Sequence, residues 1–385
     1  MTGTRITVQA GSHGRRYCPV QEAIDSAADT KADGFALFDE SGGRSVPHQI
    51  WTKDRKRVIG WIIDDLPEGA ERTYVLKEAQ ATAAAGVAIS DTGEAMRFSV
   101  GESDFTTYNY GSDVVRPYFY PLYIGSGIGI TRNWPMISDV ENETDDHPHH
   151  KGLYTAQGEV NGVDNWGEGE GHGYQIHDGF DEVFEGPVAG GFAERLLWTD
   201  ADRQPNLAER RRITIYSTPA GVRIIDYDVT FSAEFGDVIL GDTKEGGLLS
   251  VRVATSMDGE RPDGGTILNS FGGKTEAETW GKRAQWCDYS GPIRGDWYGI
   301  CMMDHPGNPR HPTYWHVRDY GLMTANCFGV HHFTADPENR KDFPIPEGAS
   351  VTWRYRALLH AGRSELTQLT RCYHDFANPP QITVE

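Results

Sequence analysis

The chain has 385 residues and a formal net charge of −20, which disfavours a nucleic-acid backbone or an anionic membrane as its partner. Its apolar runs all fall short of the roughly 18 residues that a membrane-spanning helix needs. The five scattered cysteines form no CxxC pair and the N-terminus has no apolar signal segment, so we expect free thiols and a cytoplasmic protein.

The first 90 residues predict a small β-sandwich domain, because short segments with alternating apolar and polar residues are separated by turn residues. The strands predicted here are 4–9, 34–38, 46–51, 58–63 and 72–76. Residues 21–28 favour either a short helix or an irregular insertion. The alanine-rich segment 77–85 is the predicted linker to the second domain.

Residues 91–385 predict a larger β-domain that ends in one helix. The predicted strands are 95–100, 106–110, 118–124, 192–198, 211–217, 222–231, 248–255, 297–303, 314–317, 321–328 and 351–360. The segment 364–376 places Leu366, Leu369 and Tyr373 on one helical face, and Ser364 could cap it. We therefore predict an all-β protein of two large stacked sheets, similar to a super-sandwich.

Histidines are concentrated in two short windows of this sequence. Residues 146–178 hold five of the fourteen histidines among several carboxylates and seven glycines, and residues 305–332 hold five more. Imidazoles and carboxylates bind metals and transfer protons near neutral pH. Polar loops can also contain such residues for purely structural reasons. A single pocket lined by both windows is the simpler account of the shared enrichment.

The first window offers both metal ligands and a general base. In an extended segment His147 and His149 would face the same side, and His150 the other side unless the chain turns. The candidate ligands for a divalent metal ion are His147, His149, His172 and His177, with Glu168 nearby. Alternatively these rings hydrogen-bond a sugar and one another, and no metal is needed.

Two further segments add candidate residues. Lys244 and Glu245 precede two glycines, which allows either a surface ion pair or a pair inside a pocket. In the strand YWHVR, alternation places Tyr314, His316 and Arg318 on one face. Three polar groups on one face are too many for a core, so that face borders either solvent or a pocket.

Several ordered motifs carry a family resemblance. They are DHPHHKGLYTAQGEVNGVDNW, DTKEGG, WCDYSG, DHPGNPRHPTYWHVRDYGLMTANCFG and RYRALLHAG. From about Thr106 to His360 the chain resembles the bacterial PmoA-like family, a domain of unknown function labelled "methane oxygenase PmoA". Lys151 stands where that family usually has arginine, which keeps the charge but loses the planar fork. The mean hydropathy of −0.53 does not fit a membrane methane monooxygenase subunit.

The resemblance implies a fold in the style of galactose mutarotase and a link to sugar catabolism. It thus favours a carbohydrate-active enzyme, a lyase or hydrolase acting on a glycoside or keto-glycoside. An aldose-epimerase-like enzyme and a non-catalytic sugar-binding module are the alternatives. The predicted catalytic residues are His149, His150, Glu168 and Glu245. The predicted substrate-binding residues are Lys151, Lys244, Trp166, His316, Arg318 and Tyr314. The partner would be a small sugar, and the sequence leaves the oligomeric state open.

Overall fold

The computed structural model describes residues 3–24, 34–53, 56–80, 85–125, 127–363 and 365–385. Strands make up 54% of the structure and helices 8%, and the sheets are antiparallel. The predicted all-β class is therefore confirmed. Among the described residues no helix is long and apolar enough to cross a membrane.

The strands are numbered here in chain order. The first group is β1 (Thr4–Gln9), β2 (Arg15–Ile24), β3 (Phe35–Asp39), β4 (Ser45–Val46), β5 (His48–Lys53), β6 (Lys56–Leu66) and β7 (Glu71–Glu78). The second is β8 (Val87–Asp91), β9 (Ala95–Val100), β10 (Ser103–Asn109), β11 (Tyr118–Ile124), β12 (Ile128–Gly129), β13 (Leu153–Val160), β14 (Val163–Asn165), β15 (Tyr174–Phe184), β16 (Ala189–Thr199), β17 (Pro205–Tyr216), β18 (Val222–Ser232), β19 (Val238–Leu240) and β20 (Gly246–Arg252). The third is β21 (Thr266–Asn269), β22 (Lys282–Arg283), β23 (Trp286–Ile293), β24 (Asp296–Asp304), β25 (Tyr314–Arg318), β26 (Leu322–Asn326), β27 (Phe343–Ile345), β28 (Ser350–Ala361) and β29 (Gln381–Val384).

Within the described ranges, three short α-helices accompany these strands. They are α1 (Thr275–Thr279), α2 (Val330–Phe333) and α3 (Leu366–Ala377), the longest helix described. Leu369 and Tyr373 on α3 are buried against Trp286 and Leu358, as the periodicity predicted, but Leu366 at the start of the helix is 39% exposed. The predicted cap Ser364 lies outside the described residues.

The N-terminal segment forms two sheets around its own apolar cluster. A five-stranded sheet has the order β29-β1-β7-β3-β4, and a three-stranded sheet the order β2-β6-β5. Ile6, Val8, Trp61 and Ile63 are fully buried between them. The last strand of the chain pairs with the first, so the two ends of the chain share one sheet. The domain division near residue 90 stays a prediction.

The segment 21–28 is predicted to be either a short helix or an irregular insertion. The structure shows instead that residues 21–24 are extended. Strand β2 pairs with β6 along its whole length, and its buried residues Arg15, Cys18 and Val20 face inward. Pairing with a neighbouring strand thus outweighed local helix propensity. Residues 25–28 of that segment, and 81–84 of the predicted linker, lie outside the described residues.

The main body consists of two sheets that face each other. A 13-stranded sheet follows the path β22-β25-β26-β20-β13-β11-β10-β9-β8, with four short strands beside it, and an eight-stranded sheet has the order β15-β16-β17-β18-β28-β24-β23-β21. Both contribute to one large apolar core, where the rings of Tyr108 and Phe192 lie 4.7 Å apart. The outer face of the 13-stranded sheet is left free to carry polar groups.

Gly152 joins the histidine-rich turn to β13 in a conformation that only glycine adopts easily. Its φ is +60°, and a Cβ there would lie 2.0 Å from the carbonyl oxygen of Phe119 on the neighbouring strand. We predict that Gly152→Ala lowers the free energy of unfolding by about 2 to 4 kcal/mol, because it adds backbone strain to a steric clash. Urea denaturation measures this loss.

Gly162→Ala is the matched control for this prediction. Gly162 has φ +81°, but a Cβ there would meet no atom within 4 Å. Only the backbone strain then applies, so the loss should be about 1 kcal/mol. Equal losses in the two variants would contradict the role given to the Phe119 contact.

Candidate functional site

A row of paired residues crosses the outer face of the 13-stranded sheet. Register places Tyr118 opposite Tyr154, Tyr154 opposite Ser250, Ser250 opposite Thr324, and Thr324 opposite His316. Residues directly opposite each other in antiparallel strands project from the same face. With strands about 4.8 Å apart, His316 lies roughly 14 Å from Tyr154 along this row. The row forms the floor of the candidate site.

The opposite face of the same strands belongs to the core. Leu153, Val251, Met323 and Val317 are the neighbours of this row in register and are buried in the large apolar cluster. Trp315 is buried there as well. The alternation predicted for YWHVR is therefore present in the structure. Tyr314, His316 and Arg318 lie on the outer face of the sheet, and Trp315 and Val317 lie on its core face.

The histidine run 147–150 is a tight turn above this floor. The His150 N–H donates to the His147 carbonyl at 3.0 Å, and His147 has a φ of +46°. The turn stacks the rings of His147 and His150 in parallel, 5.0 Å apart, while His149 packs edge-on against His150 at 4.3 Å. The extended arrangement in which His147 and His149 pair on one side is therefore corrected: the stacked pair is His147 with His150.

His150 is buried and fixed by an arginine. Its exposed fraction is 2%, and the Arg252 guanidinium donates to its Nδ1 at 2.9 Å. The ring lies near Tyr154 and Trp166. Burial, together with the charges of His149 and Arg252, holds the pKa of His150 well below its ordinary value. The ring is therefore neutral at physiological pH.

Arg252 belongs to a buried charge network that also anchors the turn. Its guanidinium donates to Asp146 at 2.7 Å, and Asp146 accepts from Arg132 at 3.2 Å. Arg132 in turn donates to Asp258 at 2.5 Å. The Asp146 carboxylate also lies 2.7 Å from His147 Nδ1. Although burial acts to raise it, the pKa of Asp146 is lowered by Arg252, His147 and Arg132.

His149 is the histidine of the turn whose ring is free to meet a ligand. Its side chain makes no hydrogen bond within the described part of the chain, while its carbonyl accepts from Arg116 at 2.9 Å. Burial and then the positive charge of Arg116 lower the pKa of His149 to about 4, against the carboxylates of Glu168 and Glu245. His149 is therefore an unprotonated imidazole near two carboxylates.

Glu168 and Lys151 form one side of the site. The Lys151 Nζ donates to both oxygens of Glu168, at 2.9 and 2.7 Å, and each side chain is 17% exposed. The buried Arg116 lies below them and donates to the Trp166 carbonyl at 2.6 Å. Trp166 is itself only 3% exposed, so its ring supports the floor and does not offer a free face to a sugar.

His316, Lys244 and Glu245 form the other side. His316 is 2% exposed, and its Nδ1 lies 2.5 Å from the Lys244 carbonyl, which only accepts; Nδ1 therefore carries the proton and Nε2 the lone pair. Burial lowers the pKa of His316 to about 4. Lys244 and Glu245 hydrogen-bond each other and remain partly exposed. Burial acts to raise the pKa of Glu245. The charges of Lys244, His316 and His149 outweigh burial and hold this pKa below its ordinary value.

Tyr320 connects the two sides. The guanidinium carbons of Arg252 and Arg318 lie 4.8 and 5.4 Å from the centre of its ring, and the His147 ring stacks on it at 4.8 Å. Arg318 Nε also lies 3.1 Å from a Glu276 oxygen, and its side chain is 34% exposed. Tyr314 lies at the margin and stacks on Phe333 at 5.4 Å.

The structure separates several histidines from this site. His172 bonds the Gly173 carbonyl, and His177 bonds Glu194 at 2.6 Å beside Tyr110 and Phe180. In the second window His311 bonds Asp304, and His305 packs against Phe376 at the other sheet. These rings are close in sequence to the candidate residues, but their hydrogen-bond and ring partners lie away from the turn at 147–150.

The four predicted metal ligands are accordingly not assembled. His147 and His149 lie together, but His172 and His177 are held by other partners. Over the described ranges, no group of three or more His, Cys, Asp or Glu side chains has the arrangement of a metal site. The structure therefore does not bring the predicted ligands His147, His149, His172 and His177 together in one site.

Sequence reasoning missed four residues that build the site: Arg252, Tyr154, Ser250 and Tyr320. Ser250 and Arg252 alternate on β20, as His316 and Arg318 do on β25, so alternation on a second strand was an available signal. Tyr154 and Tyr320 give no comparable signal, because tyrosines are common in cores and loops alike.

Two clefts lie away from the histidine site. One of about 480 Å3 is lined by residues of the eight-stranded sheet, the N-terminal strands and α3, and one of about 600 Å3 lies beside Tyr120 and Asn133. Neither includes His149 or His316. The histidine site is nevertheless the candidate, because it combines neutral imidazoles with carboxylates and buried cations.

The sequence from residue 95 to 374 matches the family model DUF6807, described as a family of unknown function. The chain belongs to this family. No curated protein matches it. Among solved structures, a protein of glycosyl hydrolase family 38 from Enterococcus faecalis is similar at 8% identity and a TM-score of 0.46. The alignment covers 100% of this chain and 47% of that one, so the chain spans about half the length of this structural neighbour. The PmoA-like label and the galactose-mutarotase relation are not confirmed by these comparisons.

The buried histidines predict how stability depends on pH. A histidine whose pKa is lowered by folding binds its proton more tightly in the unfolded chain, so stability is complete above pH 6.5 and falls as pH falls toward 4. Each fully buried ring contributes a slope of up to about 1.4 kcal/mol per pH unit. We expect His316→Gln to flatten the decline between pH 6.5 and 4.5, as measured by urea denaturation. Identical slopes in both proteins would contradict it.

Proposed function

We propose that this protein is a carbohydrate-active enzyme, a lyase or hydrolase that cleaves a glycoside or keto-glycoside with His149 as general base. The observation that carries the proposal is the state of His149. Its imidazole is unprotonated at neutral pH and forms no hydrogen bond within the described residues. The ring lies close enough to Glu168 and Glu245 for their charges to act on its pKa. A general base must be unprotonated and free to approach the proton it removes.

The surroundings of His149 suit a polyhydroxylated substrate. The pairs Lys151–Glu168 and Lys244–Glu245 each present a donor and an acceptor, which is what sugar hydroxyls require. Tyr118 and Tyr320 are partly buried aromatic residues that border the floor of the site. A small sugar is therefore the proposed partner, and Arg318 and His316 are the groups proposed to bind its oxygens.

Two chemical routes fit this arrangement. If the sugar ring carries a ketone, the neighbouring C–H is acidic enough for an imidazole to remove its proton, and the glycosidic bond can then be lost by elimination. Ordinary hydrolysis requires two carboxylates on opposite sides of the bond, a role open to Glu168 and Glu245. The ion pairs that occupy both carboxylates favour the first route.

A second candidate function has one specific observation in its favour. His316 has its lone pair on Nε2, beside the Glu245 carboxylate. A histidine and a carboxylate are sufficient for an aldose epimerase, which interconverts anomers and cleaves no glycoside. The two functions differ in their products, so one assay can separate them.

The test uses methyl glucosides and methyl galactosides, each with free hydroxyls or with a ring ketone, and follows methanol release by proton NMR. We expect one of these glycosides to be cleaved, and His149→Ala to reduce the rate at least about 10²-fold, because the general base is lost. The protein should keep its circular dichroism spectrum. EDTA should leave the rate unchanged if the imidazole acts without a metal.

His305→Ala is the matched control. This histidine comes from the second window but packs against Phe376 of α3, which lies on the eight-stranded sheet, so its removal should leave the rate unchanged. Full turnover by His149→Ala would refute the proposal. Faster exchange between sugar anomers without methanol release would favour the epimerase, and calorimetric binding of a glycoside without turnover would favour a sugar-binding module.

A further inference from the structure

We propose that His150 and Tyr154 form an oxyanion-binding pair, and that the substrate is therefore a sugar with a carbonyl group whose oxygen becomes negatively charged during the reaction. This inference rests on the proposed function and narrows its substrate class to ring ketones. It also assigns His150 a role different from that of His149: a donor that stays neutral, not a base.

The tautomer of His150 follows from its partner. A guanidinium only donates hydrogen bonds, so the Nδ1 atom 2.9 Å from Arg252 must accept and cannot carry a proton. In a neutral ring the proton then resides on Nε2. Because Nδ1 is occupied and Nε2 is protonated, His150 has no lone pair available to remove a proton from a substrate.

The Nε2–H of His150 is a buried donor without a partner among the described residues, and the ring is 2% exposed. The Tyr154 hydroxyl is a second polar group of this kind, on a fully buried side chain. Leaving a buried donor unpaired is unfavourable, because its hydrogen bond to water is lost and not replaced. The two rings are neighbours, with centres 6.3 Å apart and planes 20° from parallel, so the two unpaired groups belong to adjacent side chains.

The local charges favour an anion at this place. Arg252 holds His150, and Arg116 lies with its guanidinium carbon 5.8 Å from the centre of the Tyr154 ring. Both arginines are 1% exposed, so their fields are only weakly screened by solvent. Donation from Arg252 to Nδ1 also polarises the ring and makes its Nε2–H a stronger donor. Donors fixed in a buried site are the usual means of stabilising an oxyanion.

The reaction balances without an oxidant or a cofactor. His149 takes a proton from the carbon beside the ring ketone, and the electron pair of that C–H bond forms a carbon–carbon double bond. The π pair of the ketone moves to its oxygen, which accepts hydrogen bonds from His150 and Tyr154. The enolate then re-forms the ketone, and the pair of its carbon–carbon double bond makes a new double bond to the anomeric carbon. The glycosidic C–O bond breaks, and the leaving oxygen takes the proton from His149. The products are an alcohol and an unsaturated keto sugar.

The test compares His150→Gln and His150→Asn. Glutamine places an amide N–H close to the position of Nε2 and so keeps the donor, while asparagine reaches only the position of Nδ1 and so keeps a partner for Arg252. The probe is a methyl glucoside oxidised to the ketone at C3, incubated in D2O. Proton NMR follows deuterium exchange of its C2 proton and release of methanol.

We expect His150→Asn to slow the C2 exchange about 10²- to 10³-fold and His150→Gln to stay within about 10-fold of the unchanged protein. Tyr154→Phe removes only the unpaired hydroxyl, so the fold should be kept, and we expect exchange to slow about 10-fold or more. Circular dichroism confirms folding. The reverse order, with asparagine active and glutamine inactive, would show that His150 only holds Arg252 and would overturn the inference.

Two further outcomes separate this inference from the function it rests on. Cleavage of the unoxidised methyl glucoside, with no exchange of the keto compound, would overturn the carbonyl substrate and leave the proposed glycoside cleavage intact. Inertness of the unchanged protein toward both compounds would overturn the proposed function together with the inference. Tyr154→Phe with undiminished exchange would remove the hydroxyl from the oxyanion-binding pair.

Discussion

The guanidinium of Arg252 carries a positive charge into a region where only 1% of the side chain is exposed, and the site depends on how that charge is compensated. Its partners are Asp146 and His150, one at each end of the histidine-rich turn. Removing one partner of a buried ion pair typically costs about 3 to 5 kcal/mol. Arg252 therefore fixes the conformation of the turn, the tautomer of His150 and the local electrostatic field together.

The different properties of His147, His149 and His150 follow from the contacts of Arg252. His150 is locked as a neutral donor because Arg252 occupies its Nδ1. His147 is held by Asp146 and stacks on Tyr320. Of the three, only His149 keeps a ring without a hydrogen bond to the described residues. Burial and then the charge of Arg116 lower its pKa and hold it unprotonated. Three identical side chains in four positions thus acquire three different properties through their partners.

The pairing of charges explains how an acidic protein maintains a cluster of cations. Lys151, Lys244 and Arg318 each lie within ion-pair distance of a glutamate, so the face carries alternating charges and no strong net field. Such a surface suits a neutral polyhydroxylated molecule better than a highly charged one. The buried arginines below it, Arg116 and Arg252, add the positive potential that a developing anion needs.

The sequence alone predicted the all-β class, part of the strands and many of the residue types of the site, but not strands β2, β13, β15 and β23. The tertiary structure decided which residues meet. Alternation placed His316 and Arg318 opposite Trp315 because a strand exposes its two faces with a fixed period of two. The clustering of histidines in two windows drew attention to the turn at 147–150 but also to His172 and His177, which pack elsewhere. Alternation on β20 was a signal for Arg252, but its importance comes from register across β13, β20 and β26, which are distant in sequence. Long-range strand pairing is a cooperative property of the folded chain. The local sequence pattern can therefore indicate candidate site residues, but only the folded sheet brings them together.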